Sequence, residues 1–387
     1  MTPVNDERLP PGFSAIVANI GVRDETDDFS VVVADRPCAA AAVFTRSRFA
    51  GPSVELSRRH VADGTLQAAV VISKNANVAT GDEGASNARE VAQRVAAALD
   101  IPVESVLLSS TGVIGRQYPM ARVRAALESL GPPTHTDATA VARAMMTTDT
   151  VPKVAVAQAG AARVVGVAKG VGMIEPNMAT MLAQVFTDAE IAAPQLDAIF
   201  RRVVDGTFNC LSVDTDTSTS DTAVVLASGG AGPVDHDVLE AALGDVCLSL
   251  TRQLARDGEG AEKLLVVQVT GGRDPAQAKR VAKAVVNSPL VKTAVHGADP
   301  NWGRVVMAIG KCEDDTDIDQ RRVVVRFGDH EVYPAPVDEP GLARLEELMR
   351  AAEVHIGVDL AVGDGAATVY GCDLTDGYIR INADYTT

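Results

Sequence analysis

The sequence predicts a layered α/β protein. Three observations carry that expectation: helical and strand periodicities alternate along the chain, apolar residues make up 47% of it against 22% charged, and no repeat or low-complexity linker interrupts the alternation. At 387 residues the chain exceeds a typical single core, so more than one packed unit is expected.

The elements follow in order. Residues 66–73 read as a buried strand, and 86–99 as a helix with Ala88, Val91, Ala92, Val95 and Leu99 on one face. The apolar run Val106-Leu107-Leu108 leads into a small-residue loop, Ser109-Ser110-Thr111-Gly112. Short strands at 154–156 and 164–168 flank a turn at Ala159-Gly160. Pro194 opens a helix carrying Leu196, Ile199, Phe200, Val203 and Val204 before Gly206 ends it. A strand at 264–270 runs into Gly271-Gly272, and Asp274-Pro275 opens a helix that ends near Asn287. Residues 323–327, 354–360, 367–370 and 378–381 read as strands, with turns at Gly328-Asp329 and Asp364-Gly365 and a proline-rich loop over 333–341.

Composition narrows the function. The net charge of −16 argues against a nucleic-acid partner, since phosphate binding needs a basic surface. The amino terminus lacks a basic region followed by an apolar stretch, and no apolar run approaches the ~18 residues of a membrane span, so a cytoplasmic protein with no membrane contact is expected. Cys38, Cys210, Cys247, Cys312 and Cys372 are odd in number and scattered, which reads as reduced core residues. The six histidines lack metal-ligand spacing, and no cofactor motif stands out. Asp214-Thr215-Asp216-Thr217-Ser218 begins like a calcium loop but lacks its later glycine and glutamate, so it reads as a turn. Lys169-Gly170-Val171-Gly172 is too short for a phosphate loop.

One segment suggests chemistry. In 169–189, Thr180 follows the small Ala179, after an approach punctuated by Gly170 and Gly172. An internal threonine is a poor nucleophile because nothing adjacent takes its proton. A terminal one carries an α-amine of pKa roughly 7.7–8.0 that can serve as base for its own hydroxyl. Cleavage before Thr180 would convert the first case into the second. By itself an Ala-Thr pair among Met173, Ile174, Met178, Met181 and Leu182 reads as ordinary core, so the reading depends on what accompanies it.

Ordered motifs over nearly the whole chain add to this reading. They include Phe44-Thr45, Asn75 to Gly81, Ser110 to Gly115, Met146 to Thr150, Asn177 to Leu182, Ser218 to Asp221 and Asp257 to Ala261. Asn287 to Ala294, Asp299 to Arg304 and a tail from Asn382 to Thr387 complete the set. Together they resemble the ornithine acetyltransferase, or glutamate N-acetyltransferase, family. Val171 and Glu175 stand where that family usually has Ser and His, and Asn75 to Gly81 is a shortened form of a more glycine-rich motif. In these departures the chain is most similar to the branch found in the clavulanic acid gene cluster.

The resemblance implies the amidase and ornithine acetyltransferase fold of N-terminal-nucleophile type, with helices covering stacked sheets and Thr180 opening an internal strand. It implies a core domain over 1–190, a middle α/β segment over 191–271 and a smaller C-terminal α/β domain over 272–387. Cleavage between Ala179 and Thr180 would give an alpha chain, 1–179, and a beta chain, 180–387, expected to assemble as a heterotetramer of two of each. Thr180 is the implied nucleophile, with Thr111 and Gly112 as the oxyanion hole. Thr147, Lys169, Thr180, Glu259, Asn382 and Thr387 are the implied binding residues, and Thr148 replaces Thr147 if the register slips by one. Lys169 would pair with an amino-acid carboxylate and Glu259 with the side-chain ammonium of ornithine. On the residues alone, the 109–112 loop is also a plain turn, and each charge is also a solvated surface group.

The implied reaction moves acetyl from N2-acetylornithine to glutamate through an acetyl-threonine, in arginine biosynthesis. A secondary-metabolite acyltransferase with another acceptor, and an N-terminal-nucleophile aminopeptidase or amidase, share this chemistry. A degenerate paralogue that binds an amino acid without turnover is the non-enzyme alternative.

Overall fold

A computed structural model describes residues 6–175 and 181–384. Thr180, Ala179 and Thr387 lie outside the described residues. The first strands are β1 (Phe13–Ala18), β2 (Phe29–Phe44), β3 (Thr65–Ile72) and β4 (Val106–Ser110). They are followed by β5 (Lys153–Ala159), β6 (Ala162–Lys169), β7 (Leu182–Glu190) and β8 (Thr222–Pro233). Among the described residues these eight strands form one sheet in the order β4-β3-β2-β8-β7-β6-β5, with β1 also paired to β2. Strand β2 serves two neighbours because it bends. Its register shifts between Val33 and Cys38, where Pro37 lacks a backbone N–H, so the first half pairs with β1 and the second with β8. Strand β3 runs parallel to β4 and is apolar on both faces, Ala68 to Ile72 being fully buried.

The second sheet contains β9 (Leu264–Gly272), β10 (Val324–Phe327), β11 (His330–Tyr333), β12 (Glu353–Asp359) and β13 (Gly365–Cys372), in the order β11-β10-β12-β9-β13. The segment 191–271 therefore supplies β8 to one sheet and β9 to the other. The first helices are α1 (Pro52–His60), α2 (Gly81–Leu99), α3 (Met120–Glu128) and α4 (Ala138–Met145). Helices α5 (Ala193–Gly206), α6 (His236–Arg256), α7 (Pro275–Val286) and α8 (Pro289–His296) come next. The last are α9 (Trp302–Gly310), α10 (Glu339–Arg350) and α11 (Asp376–Asp384).

The apolar stripes explain the packing. In α5, Leu196, Ile199, Phe200, Val203 and Val204 are the buried face, as the periodicity predicts. Helix α6 is capped by Asp235, whose side chain accepts from the backbone N–H groups of Asp237 and Val238. It packs on β5 and β6 and also reaches β9 and β13, so one core runs through both sheets. In α7, Asp274 caps Gln277 and the Val281, Ala282, Val285 and Val286 face covers β9 and β13. The architecture is layered α/β, and no described helix is long and apolar enough to cross a membrane.

One element differs from expectation. Residues 378–381 lie in helix α11, not in a strand. The alternation of Tyr378, Ile379 and Ile381 is too short to separate the two periods. Thr375 turns the chain before it, donating its hydroxyl to the Gly260 carbonyl at 2.6 Å and accepting from the Gly377 N–H at 3.0 Å. The helical pair Asp376 and Arg380 then bridges one turn of α11.

Candidate functional site

Strand ends converge on a cavity of about 270 Å³ lined by Thr111, Gly112, Thr147, Thr148, Lys169, Glu259 and Asn382, among others. Gly170, Gly172 and Met173 line it ahead of position 180, and Met181 and Leu182 behind. Hollows of about 480 and 520 Å³ lie elsewhere and contain none of the candidate site residues.

The loop after β4 owes its shape to its neighbour after β3. Thr111 donates its backbone N–H to the Ile72 carbonyl at 3.0 Å, and Val113 donates to that of Lys74 at 3.4 Å. Gly112, between them, has φ +128°, and a Cβ there would lie 2.3 Å from the Lys74 carbonyl carbon. Only glycine fits, for conformation and for space. Lys169, the last residue of β6, places Nζ 3.3 Å from the Thr111 hydroxyl. Burial pulls its ammonium below the ordinary lysine range, against the opposing charges of Asp149, Asp221 and Glu259.

Glu259 stands in the turn after α6, fixed by its backbone N–H to the Val171 carbonyl at 2.8 Å. Its carboxylate accepts from the Thr148 hydroxyl at 3.1 Å and the Asn382 amide at 2.8 Å. The helical form of 376–384 is what carries Asn382 to Glu259. A Cβ on Gly172 would fall 2.4 Å from the Glu259 carboxylate oxygen, which explains the small residue there. Thr147 lines the cavity while its neighbour Thr148 makes the bond to Glu259.

Asp149 organises this lining and Asp221 lies on its wall, and sequence reasoning assigned neither a role. Asp149 accepts from the backbone N–H of Thr147 at 3.1 Å and of Gly170 at 2.7 Å, and from the Lys153 ammonium at 2.8 Å. Lys153 is fully buried and also meets Asp257 at 2.6 Å. Burial would push the Asp149 carboxyl up, but Lys169, Lys153 and the hydrogen bonds together hold it below the usual range. Asp221, also on the cavity wall, is pushed well above that range by burial, and among the described residues its Oδ2 has no hydrogen-bond partner. The available signal was an acid inside each of two small polar motifs, 146–150 and 218–221.

Asp214 does act in a turn, accepting from the N–H groups of Met173, Ile174 and Asp216. Glu262, His296 and Asp373 bring ligand-type atoms within 4.8 Å of one another, a grouping their spacing hides. Asp373 already accepts from the Glu262 and Lys263 N–H groups at 2.9 and 3.0 Å, and thus anchors that turn. The five cysteines are free thiols.

Such a cavity can hold an amino-acid carboxylate at Lys169, a cationic side chain at Glu259 and a developing oxyanion at Thr111 and Gly112. Residues 14–387 match the ArgJ family. Glutamate N-acetyltransferase Oat2 of Streptomyces clavuligerus is 57% identical over 98% of this chain and 98% of its own. An arginine biosynthesis bifunctional protein ArgJ 2 of a Nostoc strain is 55% identical, again with 98% of each chain covered. A crystal structure of the arginine biosynthesis bifunctional protein ArgJ of Bacillus halodurans is 37% identical, with TM-score 0.48, covering 53% of this chain and 100% of that one.

Proposed function

Since the chain belongs to the ArgJ family, we propose that it is a self-cleaving glutamate N-acetyltransferase that moves acetyl from N2-acetylornithine to glutamate. The observation that carries this reading is the convergence of Thr111, Gly112, Thr147, Lys169, Glu259 and Asn382 on one cavity, flanked in sequence by the segment containing Thr180.

In the first stage the Thr180 hydroxyl attacks the Ala179 carbonyl, the peptide C–N bond breaks and its nitrogen takes a proton. Water opens the resulting ester, leaving Thr180 with a free amine. In the second stage that amine takes the hydroxyl proton as Oγ attacks the acetyl carbonyl, and Thr111 and Gly112 stabilise the oxyanion. The proton passes to the departing ornithine nitrogen. The amine of glutamate then attacks the acetyl ester, giving N-acetylglutamate and restoring Thr180. Lys169 holds the carboxylate of each amino acid in turn, while Glu259, with Asn382 and Thr148, receives the ornithine ammonium. Thr147 and Thr387 complete the binding set.

The reading includes chains 1–179 and 180–387 that stay associated as two of each, in the cytoplasm, with a core domain over 1–190, a middle segment over 191–271 and a C-terminal domain over 272–387. Isotope exchange tests the reaction. Labelled N-acetylornithine should exchange with free ornithine in the absence of glutamate, and double-reciprocal plots should be parallel. No exchange together with intersecting plots would reject the acetyl-enzyme. Release of acetate faster than N-acetylglutamate at saturating glutamate would favour a hydrolase.

A further inference from the structure

We propose that Glu175 is a positioning residue for self-cleavage, clamping the arm ahead of the Ala179–Thr180 bond onto α7 through Lys283 and Asn287. The proposal rests on the reading that this bond is cut.

Glu175 is held at both its side chain and its backbone. One carboxylate oxygen accepts from the Asn287 amide at 2.6 Å and the Ser212 hydroxyl at 3.3 Å, and the other lies 3.6 Å from the Lys283 ammonium. Its N–H donates to the Asp216 carbonyl at 2.9 Å, and its own carbonyl accepts from the Thr217 hydroxyl at 3.4 Å. The two preceding residues are fixed as firmly. Asp214 takes the N–H groups of Met173 and Ile174 at 2.6 and 2.8 Å, and Ile174 is fully buried. Met173 has φ +55°, a left-handed conformation that a methionine keeps only where its surroundings enforce it.

Every group in this clamp comes from the far side of the scissile bond, from 212–217 or from the end of α7. The described chain ahead of the bond, up to Glu175, is thus tied to the chain that follows it. Intramolecular attack gains most of its rate from such orientation, and a misplacement of about 1 Å can cost on the order of 100-fold.

The test follows cleavage of freshly translated full-length chain on denaturing gels. Glu175→Lys and Lys283→Glu should each slow cleavage roughly 10-fold or more, and the double exchange should recover most of the loss. Thermal midpoints measured in a Thr180→Ala background separate positioning from stability: the rate loss should exceed anything the midpoints account for. Glu175→Gln, which keeps an acceptor for Asn287 but loses the charge, should also be slow and serves if a charge-reversed chain does not fold. Wild-type rates in the variants, or a double exchange no faster than the singles, would overturn the clamp while leaving the cleavage reading intact. A wild-type chain that never cleaves would remove both.

Discussion

Gly112 and Lys169 make the most exacting demands at the site. Gly112→Ala should abolish activity, because the added Cβ meets backbone at 2.3 Å where the chain cannot yield. Thr111→Ala should lower kcat by about 10²–10³ with KM nearly unchanged, as loss of one oxyanion donor does. An effect on KM alone would instead make Thr111 a binding residue. Burial lowers the Lys169 pKa, so its charge is lost on the alkaline side earlier than that of an exposed lysine. KM for the amino acid should therefore climb as pH rises through that lowered value. Lys169→Met should raise KM at neutral pH and flatten the climb, and an unchanged profile would refute the assignment. The family resemblance named these residues; on the sequence alone the 109–112 loop reads as a plain turn and Lys169 as a solvated surface charge. Asp149 and Asp221 were not named, since what marks them is burial, which the linear order does not show, and for Asp149 the contact with Gly170 across the fold.

Among the elements, the connection from α4 to β5 fixes one part of the cavity wall. Asp149, Lys153 and Asp257 form a buried charge cluster that fixes Thr147 and Gly170. Lys153→Met should destabilise the fold by about 3–5 kcal/mol, because it strands two buried carboxylates; urea unfolding of a Thr180→Ala background measures this cleanly. The Asp149 carboxyl is held below its usual range, so its contribution is complete above the ordinary carboxylate pKa and is lost as pH falls through the lowered value. Helices with a long apolar stripe and a proline or aspartate start, such as α5 and α7, were legible in the sequence with nearly the observed ends. The helix α11 was not, because its apolar positions fit either period and its form is decided by contacts of Thr375 and Gly377 with the distant Gly260.

The whole molecule joins two sheets through α6 and a core shared by both, and the candidate cavity gathers segments from across the chain: 111–112 after β4, 147–148 after α4, 169–173 from the end of β6, 218–221 ahead of β8 and 259 after α6, with Asn382 on α11. Alternating periodicities were enough to predict the layers. They could not predict the order of the strands, because the bend of β2 at Pro37 and the partnering of β8 with both β2 and β7 are tertiary choices. The central claim is that this framework turns an internal threonine into an acyl-carrying amino terminus. Intact-mass measurement of the purified protein, incubated with N-acetylornithine and quenched in acid, tests it most directly. The account predicts two chains, 1–179 and 180–387, with one acetyl group on the Thr180 residue of the second. A single uncut chain that still transfers acetyl, or cut chains active without ever carrying it, would contradict the account.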